Sequence, residues 1–211
     1  NTWVLEGFEL IPLYRLENNT CILLDTGLKE EREDIEQTLL EAGLTPAGIL
    51  CSHAHIDHAG SNRYFQEKYH IPVALTVQEA GMCASLLSLK CYFLLLPPSM
   101  VERESSNLIH TPDVIIPAQD GPFSFAGAEF TILHTPGHSA GHVCTVTPDN
   151  VCYAGDALLS QEMMNAKLPY CLSHQMGMDS REKLRGRSWD YLIMAHRGVC
   201  PGAELNALID Q

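Results

Sequence analysis

The chain has 211 residues, 45% of them hydrophobic, which suffices for one domain with a sizeable core and excludes a disordered or fibrous chain. Its formal net charge of −13, with no basic run to offset it, repels phosphate backbones and argues against a nucleic-acid partner. Residues 1–8 lack the basic-then-apolar pattern of a secretory leader, and the most apolar stretch, residues 82–96, is broken by Lys90 and ended by Pro97 and Pro98, too short to span a bilayer.

Residues 8–16 and 20–24 read as strands, the second ending at Asp25-Thr26-Gly27. Residues 29–42 read as a helix: acids open it, Ile35, Leu39 and Leu40 face inward, and Gly43 stops it. A short apolar strand at 48–51 leads into His53-Ala54-His55-Ile56-Asp57-His58, then a helix at about 59–69 and a strand at 71–76. Residues 77–108 are mostly helical and more apolar than a surface helix needs, notably Cys91-Tyr92-Phe93-Leu94-Leu95-Leu96. They are read as a lid or substrate-pocket wall, with core packing or a homodimer contact as the alternatives. Strands follow at 115–116, 123–125, 129–133, 143–147 and 151–154, then a helix near 181–185 and a strand at 191–195. Mixed strands and helices without a linker or repeat predict an α/β or α+β class, with one domain over 1–211 and an apolar helical insert at about 77–112. The eight cysteines include no Cys-x-x-Cys pair and are expected to be free buried thiols in a reducing cytoplasm.

In four places an apolar strand runs out and a metal-ligand residue type follows. These are 48–51 before His53, 130–133 before Thr135-Pro136-Gly137-His138, 151–154 before Gly155-Asp156, and 191–195 before His196. Loops at strand ends are where rigid scaffolds hold functional groups, and side-by-side strands would bring the four ends to one edge. His53 and His55, two apart in extended chain, point the same way and can share an ion. Asp57 and His58 fall at the turn into the next helix, near its positive end, and suit a second ion. With about three protein ligands and one open position per ion, five imidazoles (His53, His55, His58, His138, His196) and two carboxylates (Asp57, Asp156) fit two divalent transition-metal ions. Zinc is the expected ion; such mixed ligands also accept iron and manganese. Of the other histidines, His142 and His134 are read as structural and His70, His110 and His174 as surface or satisfied residues. Tyr170, His174 and Met176 are candidates for the pocket wall, and Cys51 and Cys200 are read as packing residues.

From Asp25-Thr26-Gly27 through the His53–His58 cluster, Thr135-Pro136-Gly137-His138 and Gly155-Asp156 to Ala195-His196, nearly the whole chain resembles the metallo-β-lactamase superfamily. The resemblance implies a four-layer αββα sandwich with a dinuclear site at the edge of its two sheets. It assigns His53, His55 and His138 to one ion, Asp57, His58 and His196 to the other, Asp156 as the bridge, and Asp25 as a supporting residue that is not a ligand. Asp156 stands where the commonest true β-lactamases carry Cys, which points to the thioesterase, lactonase and phosphodiesterase branches. Few residues follow His196, so the C-terminal glutathione domain of glyoxalase II is missing, and His55 replaces the Glu of diiron flavoproteins. The expected activity is hydrolysis of an ester-like bond, a thioester or lactone, in a small molecule. The water would be acidified by two cations toward about 7, and oriented by Asp57, the catalytic candidate. A mononuclear iron persulfide dioxygenase-like activity and a phosphodiesterase are the alternatives.

Overall fold

The computed structural model describes residues 1–160, 163, 165, 170–196 and 198–210. One sheet contains β1 (Thr2–Glu6), β2 (Leu10–Arg15), β3 (Thr20–Leu24), β4 (Thr45–Leu50), β5 (Val73–Thr76) and β6 (Val114–Ile116), in that spatial order. The first three pair antiparallel and β3 to β6 pair parallel. Parallel neighbours need crossovers. These are α1 (Arg32–Glu41), α2 (Asn62–Tyr69) and the insert helices α3 (Val77–Cys83), α4 (Leu86–Tyr92) and α5 (Pro98–Ser105). The second sheet contains β7 (Gly121–Phe125), β8 (Ala128–His134), β9 (Val143–Val146), β10 (Val151–Gly155), β11 (Tyr191–Met194) and β12 (Gly198–Pro201). Only β10 and β11 pair parallel there, with α6 (His174–Leu184) between them in the chain, and α7 (Leu205–Ile209) follows β12.

Alternation along the strands sorts side chains into three apolar layers. Ile22 and Leu24 join Leu50, Phe130, Tyr153 and Ile193 between the sheets. Leu23, between them in sequence, points the other way, to Leu39 of α1, Phe65 of α2 and Leu89 of α4. Cys152 and Ala154 flank Tyr153 and face Leu184 of α6 and Leu205 of α7. Strands buried on both faces therefore read as continuous apolar runs. Each fully buried side chain of the size of Leu24 or Phe130 contributes about 1.5–3 kcal/mol. The result is the four-layer αββα sandwich.

Several elements differ from expectation. β1 and β12 were not foreseen, being edge strands with half-exposed, weakly patterned residues. The helix expected from residue 59 begins at Asn62. Gly60 explains this: a Cβ there would lie 2.3 Å from the Ile56 carbonyl and 2.6 Å from that of Gly27, so the backbone turns tightly against residues 27–29 before coiling. Asp57 thus lies five residues before the helix rather than at its first turn. α6 extends well before residue 181 because the Ser173 side chain accepts a hydrogen bond from Met176 N–H. The insert is divided: Met82, Cys83, Leu89 and Val101 pack into the core, whereas Leu87, Leu94 and Leu95 are exposed. All eight cysteines are free, but Cys91 and Cys171 are exposed rather than buried. No helix among the described residues is long and apolar enough to cross a membrane.

Candidate metal centre

The site begins at the carboxyl end of β3. Asp25 is fully buried and holds a positive φ of 71°, a conformation an Asp tolerates better than most residues. Its carboxylate accepts hydrogen bonds from Ser52 N–H (2.6 Å), Ser52 Oγ (2.6 Å), Tyr153 OH (2.7 Å) and His58 Nδ1–H (2.8 Å). Burial alone would raise its pKa; the bonds from His58, Ser52 and Tyr153 outweigh that and hold it below the ordinary value. Because Ser52 Oγ spends its proton on Asp25, His53 Nδ1–H donates to Ser52 Oγ at 3.0 Å. Asp25 therefore orients both rings, and in their neutral forms Nε2 of each is left as a lone pair.

The same logic applies at His138, whose Nδ1–H donates to the Tyr170 carbonyl at 3.1 Å. His55 Nδ1 lies 2.9 Å from both His53 Nε2 and His138 Nε2. A single proton on His55 can satisfy only one of those two lone pairs, whereas a cation among the three nitrogens satisfies all of them. Burial first, and then the crowding of imidazoles, pushes His53 and His55 well below the ordinary histidine range; burial lowers His138 as well. Neutral imidazole is the form that ligates metal.

Beside this face lies a more acidic set. Asp57 Oδ2 is 3.5 Å from His196 Nε2, and Glu9, Asp57, His58 and His196 each offer one ligand atom within 4.8 Å of the others. Asp156 faces both sets: Oδ2 is 3.1 Å from His138 Nε2 and 3.5 Å from His196 Nε2, and Oδ1 is 3.6 Å from His58 Nε2. Burial would raise the Asp156 pKa, but His58, His196 and His138 outweigh it and hold it well below the ordinary value. Converging lone pairs with too few protons among them are what a pair of divalent cations fits. All seven residues singled out in the sequence meet here.

The loops are positioned by groups that reach across long stretches of chain. His142 is fully buried; its Nε2 accepts the Asp156 N–H at 3.1 Å and its Nδ1–H donates to Thr135 Oγ1 at 2.9 Å, which makes the structural reading of this residue concrete. Burial pushes His142 down to about 3. Gly137, with φ of 139°, packs so closely on α6 that a Cβ would lie 2.3 Å from Gly177 N. Glu79 of α3 was not singled out in the sequence. Its Oε2 accepts Ala54 N–H at 2.9 Å, and its Oε1 accepts Gly141 N–H at 2.7 Å and Ser139 Oγ at 2.8 Å. Glu9 also escaped notice, and burial pushes its carboxyl well above the usual range. The available signal was an acid isolated within an otherwise apolar segment.

A cavity of about 680 Å³ opens over the cluster, walled by Phe8, Leu28, Ile56, Phe93, Leu159 and Met163, with Tyr92 and Tyr170 beside His55. Tyr92 OH contacts His55 Nε2. Tyr170 lines this cavity as expected; His174 lines a smaller neighbouring pocket of about 180 Å³ instead, and Met176 lines neither.

An αββα sandwich with a His/Asp cluster at its strand ends is the architecture of one superfamily of metalloproteins. The chain belongs to the metallo-beta-lactamase superfamily, whose profile matches residues 9–196. It is 32% identical over 146 residues to the probable metallo-hydrolase YqgX of Bacillus subtilis (strain 168), covering 69% of this chain and 64% of that protein, just under two thirds of the relative's length. It is 23% identical over 201 residues to the hydroxyacylglutathione hydrolase GloC of Haemophilus influenzae, covering 91% of each. The fold matches that of the BLEG-1 B3 metallo-beta-lactamase with a TM-score of 0.71 at 21% identity, covering 98% of this chain and 96% of that one.

Proposed function

We propose that the chain hydrolyses an ester-like bond, a thioester or a lactone, in a small molecule. The proposed centre is dinuclear, with zinc as the ion: His53, His55 and His138 would hold one ion, Asp57, His58 and His196 the other, and Asp156 would contribute to both. The observation that carries this reading is the placement of Asp156, whose oxygens lie within 3.1–3.6 Å of nitrogens from both sets. When bound, paired ions acidify water and polarise the oxygen under attack.

The chain's own residues supply the rest. Asp57 is half-buried at the cavity floor, where its carboxylate can orient the attacking water and take up its proton. Phe8, Leu28, Ile56 and Phe93 give an acyl or ring portion an apolar seat and exclude bulk water, which strengthens the electrostatics of the floor. Burial keeps the Tyr92 hydroxyl protonated, as a donor beside His55. No Lys or Arg stands among the described lining residues, so a phosphodiester would find no cationic clamp. The likeness to a hydroxyacylglutathione hydrolase adds support for thioester chemistry.

The test is metal quantification on freshly purified protein, followed by a panel of thioesters, lactones, simple esters and phosphodiesters. Two ions per chain and chelator-sensitive turnover of a thioester or lactone are expected. A single iron per chain with oxygen uptake, or inactivity across the panel, would overturn the reading.

A further inference from the structure

Glu9 stands outside the ligand set assigned above, yet its buried carboxylate is left without a hydrogen bond. It precedes β2 in a tight turn, where Gly7 N–H donates to the Glu9 carbonyl at 3.1 Å. Leu10 N–H donates to the Ala195 carbonyl at 2.7 Å, tying this turn to the residue before His196. The side chain is fully buried, and neither carboxylate oxygen has a hydrogen-bond partner. Carboxylates buried this completely are almost always paired or bound to a metal.

Its neighbour is equally anomalous. Glu9 Oε2 lies 3.0 Å from His58 Nε2, but the two are not aligned for a hydrogen bond, and Nε2 has no other partner. The other nitrogen of that imidazole, Nδ1, is turned to Asp25. Two potential ligand atoms therefore face one another at 3.0 Å without an aligned hydrogen bond. That is the separation of adjacent ligands on one ion, since bonds of 2.0–2.2 Å at right angles put ligand atoms about 3 Å apart. Asp57 and His196 bring their own ligand atoms within 4.8 Å of the same group. A simple ion pair with protonated His58 would leave the second Glu9 oxygen bare and the lone pair of His196 unused.

We infer that Glu9 is a further ligand of the ion held by Asp57, His58 and His196, an inference that rests on the dinuclear reading proposed above. With Glu9 included, this position draws up to three carboxylates and two imidazoles, whereas its neighbour has three imidazoles and the shared Asp156. Oxygen-rich sets favour manganese and iron(II) relative to nitrogen-rich ones. The two positions are thus chemically unequal, and Glu9 widens the difference that Asp57 begins.

The experiment is titration of chelator-stripped wild-type and Glu9→Gln protein with zinc and separately with manganese, with stoichiometry by elemental analysis and site spectra from cobalt(II). Wild type should bind two ions. Glu9→Gln should keep one at wild-type affinity and hold the other at least about tenfold more weakly, with the larger loss for manganese and a change in one cobalt spectrum only. Two ions at unchanged affinity and unchanged spectra in Glu9→Gln, with wild type also binding two, would overturn this inference alone. A wild-type chain that binds no metal would overturn both this and the proposed function. Should Glu9→Gln fail to fold, a crystal structure of zinc-loaded wild type decides. A Glu9 oxygen within about 2.2 Å of an ion supports the inference, and a carboxylate outside the coordination sphere overturns it.

Discussion

The three-imidazole side of the cluster and its acidic neighbour are assembled from different raw material. His53, His55 and His138 come from two loops, are biased by burial toward the neutral form, and meet at His55 Nδ1 with separations of 2.9 Å. Glu9, Asp57, His58 and His196 come from three separate stretches of chain and concentrate negative charge. Each side is braced by one buried carboxylate that is not itself among the proposed ligands. Asp25 holds His58 and, through Ser52, His53; Glu79 clamps Ala54 to Ser139 and Gly141. On the dinuclear reading proposed above, the contrast implies a division of labour: a nitrogen-rich position that would retain its ion, and an oxygen-rich one whose affinity would depend on how many carboxylates survive.

The hardest test of that division is its shared member. Asp156→Ala should weaken both ions and lower kcat/KM at least about a thousandfold, roughly 4 kcal/mol of transition-state stabilisation. Normal turnover in this variant would end the bridging role. Next, His138→Ala and His196→Ala should each leave one ion per chain, with opposite cobalt spectra remaining and turnover down on the order of a hundredfold. Loss of both ions together in either variant would mean that the two sides act as one unit.

The braces should give smaller effects. Asp25→Asn is expected to weaken metal affinity about 10–100-fold, more on the His58 side, as read by competition with a chromogenic chelator. Glu79→Gln should lower unfolding free energy by about 1–3 kcal/mol, because an amide cannot accept all three bonds, and should disturb the three-imidazole side more; urea melts with and without metal separate the two. The smallest effect concerns acid stability that has nothing to do with either side. Burial lowers the His110 pKa, so the fold favours its neutral form. Its contribution is complete above the unfolded value of about 6.5 and is lost as pH falls below that. His110→Gln should therefore flatten the decline of the urea midpoint between pH 7 and 5.

Much of this was legible in the sequence because it is local. The strand ends at 51, 133, 154 and 195 name the loops that carry the cluster, and the alternate positions of His53 and His55 place two imidazoles side by side. Cooperation across distance was not legible. Glu9 meets His58 and Glu79 meets Gly141 only after two sheets have formed and stacked, and no periodicity marks such encounters. The start of α2 escaped for a related reason, since Gly60 must press on Gly27 before it is decided.

Glu79 also carries a lesson for protein engineers. It belongs to the same inserted segment that supplies Tyr92 and Phe93 to the cavity, yet its carboxylate grips both loops of the three-imidazole side. Swapping this segment for a relative's, to alter what the enzyme accepts, would loosen the metal unless the donor carries an acid in the same register. Selectivity and metal retention are inherited here as one transplantable block.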